Sequence, residues 1–139
     1  MNILGIETSC DETAAAVVEQ GTRVRSSVVH SQVKEHAPYG GVVPEIASRS
    51  HIERLPGVIR RALDDAGTSW DAIHGLAVTY GPGLASSLLV GLSAAKGLSL
   101  SRTIPLVLIN HLRAHVYSPF LAPEAPAMDV YGFRVTWRR

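Results

Sequence analysis

The sequence predicts an α/β domain, a mixed sheet with flanking helices in the order βββαβαβα. Three apolar or β-branched runs lie within residues 2–30, parted only by residues that favour tight turns, as in an antiparallel meander. From residue 46 onward, stretches with helical spacing alternate with short apolar runs, the pattern of parallel strands joined by right-handed crossovers. The chain has 139 residues, 46% hydrophobic and 18% charged, which suits one ordinary globular domain with a real core.

Residues 2–8 read as the first strand and residues 14–19 as the second, with Ser9-Cys10-Asp11-Glu12-Thr13 as the turn between them. Residues 22–30, β-branched and preceded by Gly21, read as the third. Gly40-Gly41-Val42-Val43-Pro44-Glu45 is a loop ending in a helix start, with Pro44 near the first helical position. Residues 46–66 are helical in pattern, with Ile52, Leu55, Ile59, Ala62 and Leu63 on one face. Pro56 predicts a kink or a restart, and Gly67 closes the element. A buried strand, residues 75–79, lies within residues 72–80. Gly81-Pro82-Gly83 opens a helix to about Leu100, its apolar face Leu84, Leu88, Leu92 and Ala95, with Gly91 and Ala94 permitting close packing. Residues 104–109 form another apolar strand, and Asn110 is a plausible N-cap for a helix that starts at His111 and stops before Pro119. Residues 121–126 read as a loop or linker. Beyond them, Tyr131, Phe133, Val135 and Trp137 alternate with other residues, as an amphipathic strand or, with three arginines in the last six positions, a frayed tail. No internal repeat or low-complexity tract is present.

The net charge of +1 announces no strong basic field for nucleic acid, though it leaves room for a modest footprint shared with other chains. A single cysteine, Cys10, allows no intrachain disulfide; read as a lone buried thiol, it suits a reducing compartment. The first residues lack the pattern of a signal peptide, and no apolar run approaches the roughly 20 residues of a membrane span. A cytoplasmic protein with no membrane partner is the expectation.

His111-Leu112-Arg113-Ala114-His115 places two imidazoles one helical turn apart, a spacing that lets both rings converge on a divalent ion. On spacing alone, two partly exposed surface histidines are the commoner outcome, and two ligands fall short of the usual three or more. The turn at residues 9–13 offers hydroxyls, amides and the carboxylates of Asp11 and Glu12, suited to nucleotide phosphates or equally to an ordinary polar turn. Gly81-Pro82-Gly83-Leu84 follows a strand and opens a helix, which favours an anion or, slightly better, close strand–helix packing. It lacks the Lys-Ser/Thr ending of a P-loop. Gly40-Gly41 is a loop at a site mouth or merely a turn. His30, His36, His51 and His74 share no convergent spacing and read as structural or surface residues.

The early meander followed by α/β units resembles the ribonuclease-H-like half-domain of the actin-like ATPase superfamily. Residues 5–13, Ser31-Gln32, His36-Ala37, the segment 39–49, Gly81-Pro82-Gly83-Leu84, Leu88-Leu89-Val90-Gly91 and Asn110-His111 with His115 occur in order. In these motifs residues 1–120 closely resemble the N-terminal half of the TsaD family, the tRNA N6-adenosine threonylcarbamoyltransferases. The resemblance implies transfer of a threonylcarbamoyl group from threonylcarbamoyl-adenylate to N6 of the tRNA adenosine beside the anticodon. It implies a bound divalent metal, iron or else zinc, on His111 and His115, acting as a Lewis acid. It implies a nucleotide site lined by Ser9, Asp11 and Glu12, with Glu12 as the catalytic residue. The implied partners are tRNA, TsaB-like and TsaE-like proteins, and the C-terminal domain of the same enzyme.

The family continues beyond the position of Phe120 into an apolar strand, a Ser-Gly-Gly-His-Thr segment and a second domain that supplies an aspartate ligand. Residues 121–139 read as a divergent tail instead, so the expectation is half of an interdomain site, inactive alone. Two alternatives stand beside this one: a non-catalytic scaffold domain like TsaB, which lacks the histidine pair, and another carbamoyltransferase of the hydrogenase-maturation type. The turn at residues 9–12 and the segment 39–49 fit TsaD better.

Overall fold

The structure, a computed structural model, describes residues 1–121; the predicted linker and amphipathic tail beyond Leu121 lie outside the described residues. Strands β1 (Asn2–Glu7), β2 (Glu12–Glu19) and β3 (Arg23–Ser31) form the antiparallel meander, and β4 (Gly75–Gly81) and β5 (Leu106–Asn110) add parallel to β1, giving the order β3-β2-β1-β4-β5. The β2–β3 turn runs through Gln20 and Gly21, both at positive φ, the backbone that a tight hairpin connection demands. Glu12 belongs to β2, paired with Ser31, so the first turn is shorter than the sequence suggests.

A short helix α1 (Val33–His36) and a single 3-10 turn precede α2 (Pro44–Asp65), which starts at proline as expected. Helix α2 runs through Pro56 without a restart. The carbonyl that Pro56 leaves unpaired belongs to Ile52, which is 63% exposed, so water can take over the lost bond. Ile52 is therefore not on the apolar face. That face is Ala47, His51, Leu55, Val58, Ile59, Ala62 and Leu63. Gly67, at φ +60, ends the helix: its amide reaches Asp64 and that of Thr68 reaches Leu63, the paired bonds of a Schellman cap.

Helix α3 (Ala85–Arg102) buries Ser87, Gly91 and Ala95, a seam of small residues rotated from the predicted leucine face. Together α2 and α3 cover Leu4, Ile6, Ala15, Val17, Leu76 and Val78, closing the core on one face of the sheet. Strand alternation sends Glu7 and Thr79, neighbours of Ile6 and Val78, to the other face. Helix α4 (His111–Tyr117) follows β5 directly, and the Asn110 side chain accepts from the Arg113 amide at 3.2 Å, the predicted N-cap. Among the described residues no helix is long and apolar enough to cross a membrane.

Candidate metal and nucleotide site

The parallel strands β1, β4 and β5 all end at one edge of the sheet, with Glu7, Gly81 and Asn110, and such carboxyl ends are where open α/β sheets bind ligands. The turn between β1 and β2 is fixed there through its carbonyls. Ser9 O accepts from Leu84 N at 2.8 Å, Cys10 O from His51 Nε2 at 3.0 Å and Asp11 O from Gln32 N at 2.9 Å. Two glycines make this closeness possible. A Cβ on Gly83 would stand 2.5 Å from Ser9 O, and one on Gly91 would stand 2.4 Å from Thr8 Oγ1. The Gly81-Pro82-Gly83 segment thus serves close packing, and the Leu84 amide that an anion would use is already taken.

Of the predicted nucleotide-site residues, Ser9 is buried, Asp11 half-buried and Glu12 exposed at the start of β2. Cys10, read from the sequence as buried, is exposed, because the turn holds its carbonyl inward and leaves its side chain outside. A lone exposed thiol says nothing of the compartment. Partial desolvation of the sulfur, then the hydrogen bond and charge of Asp11, push its pKa up.

His111 and His115 converge as their spacing predicts: the Nε2 atoms are 3.0 Å apart, with rings edge to face and centroids 4.4 Å apart. Two nitrogens each about 2.1 Å from one ion would stand roughly this far apart, so the pair fits as adjacent ligands of a metal. Behind them, His111 Nδ1 lies 3.1 Å from Ser9 Oγ and 3.3 Å from Glu7 Oε2. Glu7 in turn accepts from the Ser9 amide and the Thr79 hydroxyl. Burial raises the Glu7 pKa, but the bonds from Ser9, Thr79 and His111 outweigh it and hold the carboxyl below its ordinary value. Among the described residues no group of three or more His, Cys, Asp or Glu side chains is placed to hold a metal. The structure therefore unites Ser9 with the histidine pair, whereas no described hydrogen bond or ion pair ties Asp11 or Glu12 to it.

Glu7 was not among the predicted site residues. Its signal is a lone carboxylate at the end of an apolar strand, on the side opposite Ile6. His51, one of the histidines that read as structural or surface residues, occupies an inward position of α2, between Ala47 and Leu55.

The fold places the chain among ribonuclease-H-like domains. YeaZ from Pseudomonas aeruginosa superposes with a TM-score of 0.62 at 22% identity, over 84% of this chain and 48% of that one. RuvC from T. thermophilus, solved with a Holliday junction substrate, gives 0.52 at 15% identity over 93% and 84%. Both likenesses concern the fold alone. Sequence gives the family: the profile of TsaD, tRNA N6-adenosine threonylcarbamoyltransferase, matches residues 23–131, and the chain belongs to that family. Relatives of that name from Pelobacter propionicus and Geobacter sulfurreducens are 60% identical over 121 residues and 59% identical over 124. The matches cover 87% and 89% of this chain and 36% of each relative, so the chain spans about a third of their length.

Proposed function

We propose that this chain carries the metal- and adenylate-binding half of an enzyme that transfers a threonylcarbamoyl group from threonylcarbamoyl-adenylate to N6 of the tRNA adenosine beside the anticodon. Convergence of the His111 and His115 Nε2 atoms to 3.0 Å is the observation that carries this reading. The two imidazoles would hold a divalent ion, iron or else zinc, which supplies a Lewis acid for the carbamate carbonyl. Ser9 and Asp11 line the adenylate at the turn, and Glu12, exposed at the start of β2, is the catalytic carboxylate. A scaffold domain, or a carbamoyltransferase without this site, would have no use for two converging imidazoles.

The remaining ligands and most substrate contacts come from the C-terminal domain of the whole enzyme. Val107 of β5 and Leu112 and Val116 of α4, each between 56% and 60% exposed, offer that domain apolar side chains. In the cell the assembly works on tRNA with TsaB-like and TsaE-like proteins, in the cytoplasm. Replacing both His111 and His115 by alanine in the full-length enzyme is expected to abolish bound metal while leaving the thermal midpoint within a few degrees. Elemental analysis decides it: unchanged metal content would refute the assignment.

A further inference from the structure

We infer that Glu7 is the positioning residue of the histidine pair, holding His111 in its Nδ1–H tautomer so that Nε2 faces His115 as a bare lone pair. The inference follows from donor and acceptor inventory. A carboxylate oxygen only accepts, so the close approach of Glu7 Oε2 to His111 Nδ1 requires the hydrogen on that nitrogen. Ser9 Oγ, near the same nitrogen, can donate or accept and does not decide the matter. Glu7 is itself clamped: Oε1 takes the Ser9 amide and Oε2 the Thr79 hydroxyl. It touches the ring at Nδ1, away from Nε2, so it orients a ligand rather than serving as one. Metal-binding histidines usually have such a carboxylate or carbonyl behind them, and its loss typically weakens metal binding 10- to 100-fold.

The consequence for metal rests on reading His111 and His115 as ligands; the tautomer does not. Glu7→Gln separates the two with almost no change of shape. The Ser9 amide can only donate, so the glutamine oxygen must stay at the Oε1 position and its NH2 must fall where Oε2 was. Thr79 can turn its hydroxyl to accept, but His111 Nδ1 now meets a donor. The ring must shift its hydrogen to Nε2, the atom a metal needs free.

The test is 15N-edited NMR of the histidine rings in the metal-free 139-residue chain at a pH where imidazole is neutral, followed by zinc titration against a competing chelator. Wild type is expected to show His111 as Nδ1–H and Glu7→Gln as Nε2–H, with zinc affinity falling 10- to 100-fold toward that of His115→Ala. A wild-type Nε2–H ring would overturn the inference even if the variant failed to fold. So would an unchanged tautomer in a folded Glu7→Gln protein. Inversion of the tautomer in a chain whose wild type binds no zinc would uphold Glu7 and count against the ligand reading alone.

Discussion

His51 lies fully buried on the inward face of α2, where an aliphatic residue would be expected, and its partners explain it. Nε2 donates to Cys10 O at 3.0 Å, because a carbonyl only accepts, which leaves Nδ1 to accept from Thr13 Oγ1 at 2.7 Å and Gln32 Nε2 at 3.3 Å. His36 extends the line: its Nδ1 accepts from the Val43 amide, and its Nε2 donates to Gln32 Oε1. The sequence reading of both histidines as structural or surface residues is resolved toward the first. No spacing rule could reveal the network, since His51 meets groups 19, 38 and 41 residues away in the chain. Burial lowers the His51 pKa, against the upward pull of the Cys10 carbonyl and the charges of Glu7, Asp11 and Glu35. Above the ordinary histidine value of 6.5, the ring is neutral folded or unfolded. As pH falls below that value, the unfolded chain takes a proton that the folded chain resists, so stability is lost until the lower folded value is passed. Thermal melts of the wild type are therefore expected to shift downward between pH 7 and pH 5. His51→Gln should start less stable at pH 7, by on the order of 1–3 kcal/mol for the buried polar groups it leaves unpaired, and should show a flatter pH response. An equal pH drop in both proteins would assign the slope to another group.

At the scale of elements, periodicity foretold which segments are helices and strands but not always which way they face. The meander, the parallel pair, the proline start of α2 and the Asn110 cap all follow from local residue chemistry and are found. Helix α3 shows the limit. Its leucines 84, 88 and 92 mark an apolar stripe, yet the deepest seam is Ser87, Gly91 and Ala95, because the sheet is approached most closely by the smallest side chains. Gly91 is where this is sharpest: a Cβ there would collide with Thr8 Oγ1, which donates to Ser87 O at 2.8 Å. Gly97, in the same helix, has nothing within 4 Å of where a Cβ would lie. Gly91→Ala is thus expected to destabilise by about 1–3 kcal/mol through overpacking. Gly97→Ala should stabilise by up to about 1 kcal/mol, since alanine is the better helix former where space is free. Urea unfolding of the two variants reads both signs, and stabilisation by Gly91→Ala would mean that α3 does not sit against β1 this closely. The same closeness shapes the site, because Gly91 and Gly83 bring α3 and its leading loop against Thr8 and Ser9, whose hydroxyl reaches His111.

For the molecule as a whole, the two faces of the sheet are unequally finished. Helices α2 and α3 close one over a continuous apolar core, while on the other Val107 of the edge strand β5 is exposed, as are Leu112 and Val116 of the helix that carries the histidine pair. Two converging imidazoles near exposed apolar side chains are what the proposed half of a site between domains would present, and two ligands would leave an ion mostly to water. The convergence of the two imidazoles could be foreseen from their spacing. The placement of Glu7 could not, since it depends on which strand ends meet α4. Rate enhancement demands that reacting groups be held in near-attack geometry, and a misplacement of about 1 Å can cost roughly 100-fold. A chain spanning 36% of its relatives' length, with donors on one wall only, is therefore expected to bind metal weakly and to transfer nothing. Incubating the purified 139-residue protein with threonylcarbamoyl-adenylate and tRNA, then digesting the tRNA and separating its nucleosides, should yield no threonylcarbamoyl-adenosine above the enzyme-free control. Robust turnover would mean that the open edge of this sheet is already a complete active site.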